Sequence, residues 1–195
     1  MEIGLEYGHI IAALISASAM FGGIWLRNKL QQRKDRVFDY PQQHENIFTA
    51  LEFMREETEA DRVYILEFHN GEHYFSGRSQ QKFSCTYEAV NEGISTEVQN
   101  LQNVRISNLH YLIKEVTKGK TFICKDSEEF CEDISFRSFM ESKGVKSMFA
   151  RPIKTLNGKI IGVLVMDFVK ERRKWGDSAE EFLKKQARMI SGYLV

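Results

Sequence analysis

The chain of 195 residues carries 27 basic and 27 acidic side chains, so its formal net charge is zero. This balance excludes a protein that holds nucleic acid by bulk electrostatic attraction. The three cysteines, Cys85, Cys124 and Cys131, are too few for a secreted disulfide framework, so the fold is expected to depend on an apolar core.

The first element is an uncharged segment of membrane-spanning length. Residues 7–26 contain no Asp, Glu, Lys or Arg. A helix rises about 1.5 Å per residue, so about 20 residues cross the roughly 30 Å hydrocarbon layer of a bilayer. A cleaved signal peptide is disfavoured because the positive charge follows the apolar run. A buried core helix is disfavoured because the run has no polar face. We predict a flank over 1–6 and a transmembrane helix over 7–26.

Positive charge clusters directly behind this segment. The basic side chains are those of Arg27, Lys29, Arg33, Lys34 and Arg36. They are predicted to lie at the membrane surface and to contact lipid headgroups. By the positive-inside rule, the protein is predicted to be a single-pass protein of the inner (cytoplasmic) membrane with a cytoplasmic C-terminal domain. Residues 27–41 are predicted to form a basic juxtamembrane stalk.

The remaining residues, 42–195, are predicted to form one α+β domain, because helical patterns alternate with runs of β-branched and aromatic residues. The sheet is expected to be antiparallel, with the N- and C-terminal helices packed on one face. The predicted helices cover 42–60, 109–116, 134–143 and a last stretch from 177 to 194. The predicted strands cover 62–68, 82–90, 121–124, 147–153 and 160–169, the last of them central.

Turn and cap residues set several boundaries. Asn157-Gly158 predicts a type I′ hairpin turn, because both residues accept positive φ. Asp177 is predicted to cap the last helix, with Glu180 completing a capping box. The polar stretch from Gly71 to Gln81 is predicted to be a long loop between the first two strands, and long loops are often functional.

Two segments carry a family resemblance. Ala60-Asp61-Arg62-Val63-Tyr64-Ile65-Leu66 is similar to the first-strand entry of GAF domains, small-molecule-binding and regulatory modules related to PAS. Arg151-Pro152-Ile153, Asn157-Gly158 and Ile161-Gly162-Val163-Leu164 are similar to the closing hairpin of that family. The resemblance covers about residues 42–195. It implies a non-catalytic protein that recognises a small ligand or a protein partner and forms a homodimer or higher oligomer through its first and last helices.

The resemblance also implies a pocket over the outer face of the sheet, walled by the first two strands and the region 105–145. The predicted ligand-binding residues are Phe68, His69, Asn70, Arg78, Phe83, Cys85 and Tyr87. Strand alternation places Phe83, Cys85 and Tyr87 on one face. Three further aromatic residues fit either a ligand-facing group or, more simply, ordinary core: Phe130, Phe136 and Phe139.

Two alternative functions stay open on the sequence alone. The layout of one spanning helix and one globular domain, together with Met148 to Gly162, loosely resembles holins of the T-even phage type, which implies a lysis protein forming membrane oligomers. Those holins place the globular domain outside the inner membrane, opposite to the orientation that the basic cluster predicts. A GAF-type thiol redox enzyme would need a cysteine of low pKa. No catalytic, metal-binding or cofactor motif is recognised, so no cofactor is expected.

Overall fold

The computed structural model describes residues 18, 20–27, 40–130, 132–174 and 176–195. Residues 20–27 are helical and exposed. Among the described residues, no helix combines the length and apolarity needed to traverse a bilayer. The flank 1–6, most of the predicted spanning helix 7–26 and most of the predicted stalk lie outside the described residues. Residues 1–42 and 43–195 form separate compact units, and the sheet belongs to the second.

Six antiparallel strands form one sheet in the order β3-β2-β1-β6-β5-β4. The strands are β1 (Arg62–His73), β2 (Ser79–Val90), β3 (Val104–Arg105), β4 (Phe122–Cys124), β5 (Ser147–Lys154) and β6 (Ile160–Phe168). The apolar strand β6 is central, as its sequence predicts, because a strand buried on both faces needs few polar side chains.

Four α-helices cover the two faces of the sheet. They are α1 (Tyr40–Thr58), α2 (His110–Thr117), α3 (Ile134–Ser142) and α4 (Asp177–Leu194). Helices α1 and α4 share one core with the inner face of the sheet, through Ile47, Leu51, Leu183 and Ile190. This confirms the prediction that the first and last helices pack on the same side. Helices α2 and α3, with the segment 91–103, cover the outer face.

Strand β2 changes faces at a β-bulge. Ile65 pairs with Tyr87 but Leu66 pairs with Cys85, so Thr86 is an extra residue on β2. Consequently Cys85 belongs to the outer-face core and Tyr87 to the inner-face core. The prediction that Tyr87 shares a face with Phe83 and Cys85 is therefore wrong, because a bulge shifts the alternation of side chains by one residue.

Three turn predictions are corrected. Strands β1 and β2 extend to His73 and Ser79, so a short hairpin turn replaces the long loop predicted from Gly71 to Gln81. In the β5–β6 turn, Gly158 has φ 83° whereas Asn157 does not have positive φ. The Gly158 N–H donates to the Thr155 carbonyl at 2.9 Å, which indicates a type I turn followed by a glycine bulge rather than type I′. Helix α4 has Gly176 at its N-cap, so Asp177 is its first residue rather than its cap.

Candidate ligand-binding site

The space predicted for a pocket above β1 and β2 is filled by protein side chains. Phe83 and Cys85 are buried in the outer-face core with Leu101 and Leu109. Phe68 packs against the same core and is half-buried. These side chains therefore stabilise the fold, and none of them lines the cleft described below.

The other predicted site residues lie apart from one another. The His69 Nε2 and Ser84 Oγ atoms are 2.9 Å apart, and Asn70 is exposed. The Arg78 guanidinium is exposed and lies 5.2 Å from the centre of a neighbouring tyrosine ring. The Tyr87 hydroxyl and His44 Nδ1 are 2.7 Å apart on the inner face. The structure does not bring the seven predicted residues together, and their role in ligand binding stays a prediction.

An open cleft of about 490 Å³ follows the edge strand β4, within the region 105–145 that the resemblance assigns to the pocket. We call it the edge cleft. Its lining comes from α2, from β4 and from residues of the ranges 125–130 and 132–133, between β4 and α3. The lining residues are Tyr111, Glu115, Thr121, Phe122, Ile123, Cys124, Lys125, Asp126, Glu129, Phe130 and Glu132.

The floor of the edge cleft is aromatic. The rings of Tyr111, Phe122 and Phe130 meet edge to face, with centroids 5.3 to 6.2 Å apart. Phe136 lies behind them, fully buried, with its ring 5.4 Å from those of both phenylalanines. Edge-to-face packing is a favoured arrangement of aromatic rings, so the floor is a packed aromatic surface. Of the aromatic residues that the sequence leaves open, Phe136 is plain core and Phe130 is both core and cleft wall.

The rim of the edge cleft is acidic. It carries the carboxylates of Glu115, Asp126, Glu129 and Glu132, and one cation, Lys125. A hydrogen bond from Lys118 lowers the pKa of Glu115. Desolvation works against ionisation of Asp126, but hydrogen bonds from the Glu128 N–H and the Arg172 side chain outweigh it and lower the pKa of Asp126. Both carboxylates are therefore ionised at neutral pH, and each is paired with a cation, Glu115 with Lys118 and Asp126 with Arg172, at 2.6 Å.

A polar contact joins the edge cleft to α4. Thr121, in the cleft wall, donates its hydroxyl to Glu180 Oε1 at 3.0 Å and accepts from Arg151 Nη1 at 2.8 Å. Arg151 also lies 3.6 Å from the same Glu180 oxygen. The cleft wall is therefore hydrogen-bonded to the first turn of α4. The sequence points to Glu180 as a capping residue and gives no sign of this contact.

The described cysteine thiols do not have the low pKa that thiol catalysis needs. Burial raises the pKa of Cys85 to about 12 and that of Cys124 to about 11. Both thiols are therefore protonated at neutral pH, and a protonated thiol is a poor nucleophile. Cys131 lies outside the described residues.

A buried charge cluster lies on the outer face where β1 begins and β6 ends, and sequence reasoning missed it. Its members are Arg62, Tyr64, Glu88, Glu97, Lys143 and Asp167. Arg62 Nη1 lies 2.8 Å from Asp167 Oδ2, and both side chains are 0% exposed. Arg62 also donates to the Ser95 carbonyl, at 2.9 and 3.2 Å. The available signal was Asp167, the single charged residue of the apolar strand β6, together with Arg62 at the start of the apolar run of β1.

The same cluster fixes the end of α3. Lys143 Nζ lies 3.6 Å from Asp167 Oδ2 and 3.4 Å from the Tyr64 hydroxyl. It also lies over the Tyr64 and Phe139 rings, 4.8 and 4.7 Å from their centres. Burial lowers the pKa of Lys143 although Asp167 opposes the effect, and burial raises the pKa of Tyr64 well above its usual value. These groups satisfy one another, so the cluster is structural.

Comparison with known proteins assigns the fold. The sequence model of the GAF domain matches residues 44–194. A search of curated proteins finds no match. Among solved structures, the blue-light absorbing form of the Thermosynechococcus elongatus PixJ GAF-domain is 16% identical with a TM-score of 0.65, over 81% of this chain and 88% of that one.

Two further structures share the fold. The GAF domain region of a Geobacter sulfurreducens PCA protein that carries the name of a membrane protein is 13% identical, with a TM-score of 0.59, over 84% of this chain and 97% of that one. A domain of a Sinorhizobium meliloti 1021 protein that carries the name of a two-component sensor histidine kinase is 13% identical, with a TM-score of 0.54, over 75% and 86%. The comparisons give no support to the membrane anchor or to the resemblance to holins.

Proposed function

The chain belongs to the GAF domain family, with residues 44–194 forming the domain, and we propose that it is a sensory or regulatory protein that binds a small ligand in the edge cleft without transforming it. The observation that carries this proposal is the cleft itself. Its volume of about 490 Å³ and its aromatic floor are typical of small-molecule sites, which combine apolar walls with a few convergent polar groups.

The ligand class follows from the lining. An aromatic ring attracts a cation to its face, and carboxylates around the opening strengthen that attraction. The rim holds four carboxylates and the ammonium of Lys125, and two of the carboxylates are already paired, Glu115 with Lys118 and Asp126 with Arg172, each at 2.6 Å. The favoured ligand is therefore a small organic cation, an ammonium or guanidinium compound with an apolar body.

The signal would pass to the helical layer. Thr121 and Glu180 can be hydrogen-bonded or apart, and a ligand that contacts Thr121 in only one of these arrangements would bind that arrangement more tightly. Its difference in affinity would shift the equilibrium between the two arrangements, and with it the position of α4. The helical layer also has apolar surface for a second copy of the chain, because Phe48 and Phe53 are each 46% exposed and Met189 is 39% exposed. A homodimer through α1 and α4 is part of the proposal.

Membrane anchoring is also part of the proposal. It is supported by the uncharged run 7–26 and by the basic side chains that follow, of which Arg27 is described and exposed. On this proposal the domain lies on the cytoplasmic side of the inner membrane. A reporter fused after Val195 that is active only in the cytoplasm tests the orientation, and an active periplasmic reporter at that position would contradict it.

Ligand binding is tested by NMR titration of the full chain with two probes of the same shape, benzylammonium and benzyl alcohol. We expect benzylammonium to shift the amide signals of residues 111–130 and benzyl alcohol to bind at least several-fold more weakly. Glu129→Gln should weaken benzylammonium binding by about three- to tenfold, because a partly solvated charge contact contributes about 1 kcal/mol. Glu141→Gln, on an exposed face of α3 away from the cleft, is the matched control. Equal binding of both probes would refute the ligand class, and shifts centred elsewhere would refute the site.

A further inference from the structure

Three turns lie together at one end of the sheet, which we call the hairpin end. Strand β1 pairs with β6 from Arg62–Asp167 to Glu67–Gly162, so the β1–β2 turn (74–78) and the β5–β6 turn (155–159) project from the same end. The turn that precedes β4 extends towards this end, because β4 starts at the Phe122–Ala150 pair and runs away from the hairpins. The turn before β4 touches the β5–β6 hairpin, since the Lys154 side chain leaves no room for a side chain at Gly119.

Two of these turns hold a large apolar side chain at full exposure. Phe75 is 112% exposed and Leu156 is 104% exposed. Single exposed apolar residues are ordinary on protein surfaces. Here each one stands at the tip of a turn, and both turns project from the same end of the sheet. The feature to be explained is therefore their shared location rather than the exposure of either residue.

The same end carries cations that have no carboxylate partner within the described part of the chain. They are Arg78, Lys120, Lys154 and Lys159, all of them exposed. The carboxylates nearby in the sequence are those of Glu72, on the β1–β2 hairpin, and Glu115, which is paired with Lys118 at 2.6 Å.

The basic side chains at the other end of the sheet differ in this respect. Arg172 forms ion pairs with Asp126 at 2.6 Å and Glu128 at 2.7 Å. Arg173 pairs with Glu59 at 2.6 Å. The basic residues that follow β6 are thus partly neutralised by carboxylates, whereas those at the hairpin end keep their charge available.

Helix α1 has its amino end towards the hairpin end and its carboxyl end towards the opposite end of the sheet. Arg55, near its carboxyl end, bonds Asn91, which follows the far end of β2. His44, near its amino end, bonds Tyr87, which is further along β2 towards the hairpin. The amino end of α1 therefore points to the hairpin end. Helix α4 finishes there too, since the Ser191 hydroxyl donates to the Lys154 carbonyl at 2.7 Å.

We propose that the hairpin end rests on an anionic membrane surface, with Phe75 and Leu156 entering the interfacial layer and the four unpaired cations contacting lipid phosphates. Exposed apolar tips among basic side chains match such a surface, which offers negative charge above an apolar layer and imposes no shape. A folded protein partner would instead require a contiguous apolar patch, and two residues on separate turns do not provide one. This contact does not depend on a ligand in the edge cleft.

The test places a polarity-sensitive fluorophore at the tip of the β1–β2 turn. The exposed Ser76 is replaced by Cys in a full chain that also carries Cys131→Ser, while Cys85 and Cys124 are buried and protonated. The chain is combined with vesicles of phosphatidylcholine alone or with about 30% phosphatidylserine. We expect a blue shift and quenching by spin-labelled lipid only with phosphatidylserine, and loss of both at about 1 M salt, where the Debye length falls to about 3 Å.

Matched variants identify the contacts. Lys154→Gln with Lys159→Gln should lower the equilibrium constant for tip contact by about 30-fold, since each basic residue near an anionic surface contributes about fivefold. Lys184→Gln with Lys185→Gln, on α4, removes the same charge elsewhere and should change it less than about threefold. Phe75→Ser should abolish lipid quenching, whereas Ile134→Ser, which removes an exposed apolar side chain from the start of α3, should not.

Sedimentation of the vesicles separates this proposal from membrane anchoring by residues 7–26. If the label at the tip reports contact with the vesicles but the chain does not remain bound to them during sedimentation, the hairpin-end proposal is supported and the membrane anchor is contradicted. A chain that sediments with both kinds of vesicle while its tip keeps the spectrum of a label in water overturns the hairpin-end proposal and leaves the anchor standing. Equal loss of contact in the α4 control pair also overturns it.

Discussion

The two ends of the sheet differ in which side chains are buried: one end buries paired charges, and the other exposes large apolar side chains and unpaired cations. At the end where β1 begins, Arg62 and Asp167 are 0% exposed and paired at 2.8 Å. At the hairpin end, Phe75 and Leu156 are fully exposed and the cations have no acidic partner among the described residues. Burying a charge costs several kcal/mol unless it is paired, and leaving a large apolar side chain in water gives up about 1.5 to 3 kcal/mol.

This difference separates structural from functional chemistry. The buried charge cluster is closed and satisfied internally, so its removal should change stability and leave surface contacts alone. The hairpin end contributes little to the core, so its side chains are available for an external contact. Substitutions at each end therefore test two expectations. Changes in the buried charge cluster should alter the unfolding free energy, and changes of exposed side chains at the hairpin end should not.

The largest effect is expected from Arg62→Met. The substitution removes the nearer of the two cations beside Asp167 and leaves Lys143 to face the buried carboxylates of Asp167, Glu88 and Glu97. Breaking a buried ion pair from one side costs about 3–5 kcal/mol of unfolding free energy. Urea unfolding measures this, with Arg137→Met, in a half-exposed pair with Glu141, as a control that should lose about 0.5 kcal/mol or less. Comparable losses of unfolding free energy in both variants would show that the buried cluster contributes no more to stability than a half-exposed ion pair.

The second effect concerns backbone geometry at the hairpin end. Gly158 has φ 83°, a conformation that costs an L-residue roughly 1–2 kcal/mol. Gly158→Ala should therefore lower the unfolding free energy by about 1 kcal/mol. Gly192→Ala, at a helical glycine with open space around its Cβ position, is the matched control and should be neutral or stabilising. An unchanged stability for Gly158→Ala would mean that the turn relaxes to another type.

The third effect is a pH dependence at the buried charge cluster. Burial lowers the folded-state pKa of Lys143 below the usual 10.5, so the protonated form destabilises the fold at neutral pH. Between the two pKa values the unfolded state binds more protons, so this destabilisation is relieved as the pH rises towards 10.5. Lys143→Met should stay within about 1 kcal/mol of the wild type at pH 7, because an apolar replacement often matches a buried charge.

The alkaline limb of the stability curve provides the decisive comparison for Lys143. The wild type should gain stability relative to Lys143→Met as the pH rises through this window, measured by urea unfolding at a series of pH values. Parallel curves for the two proteins would contradict the lowered pKa of Lys143.

The elements with strong periodicity could be predicted from the sequence. Ile47, Leu51 and Met54 recur at helical spacing and are buried in α1, and the apolar run of β6 is central in the sheet. Strands β1 and β2 are longer than predicted. The sequence pattern misses their halves next to the hairpin turn, because those halves are polar and largely exposed. There the ladder pairs Asn70 with Gln81 and His73 with Ser79, which composition alone does not reveal.

The candidate site could not be predicted in the same way. Tyr87 turns to the inner face because of the bulge at Thr86, where the Cys85 N–H donates to the Leu101 carbonyl at 2.8 Å, a contact between segments far apart in the sequence. The edge cleft arises between a three-residue strand and an irregular loop, and neither has a periodic pattern. The region 105–145 that the resemblance implied does contain the cleft, whereas the strand residues chosen by alternation do not line it.

The smallest effect on stability is expected where the proposed membrane contact is strongest. Phe75→Ser and Leu156→Ser remove side chains that are fully exposed, so each should change the unfolding free energy by about 0.5 kcal/mol or less. Leu66→Ser, at a 1% exposed position of the outer-face core, should cost about 2–5 kcal/mol and provides the contrast. If Phe75→Ser destabilised the domain as much as Leu66→Ser, the hairpin would be part of the core, and its aromatic tip would not be available to a membrane.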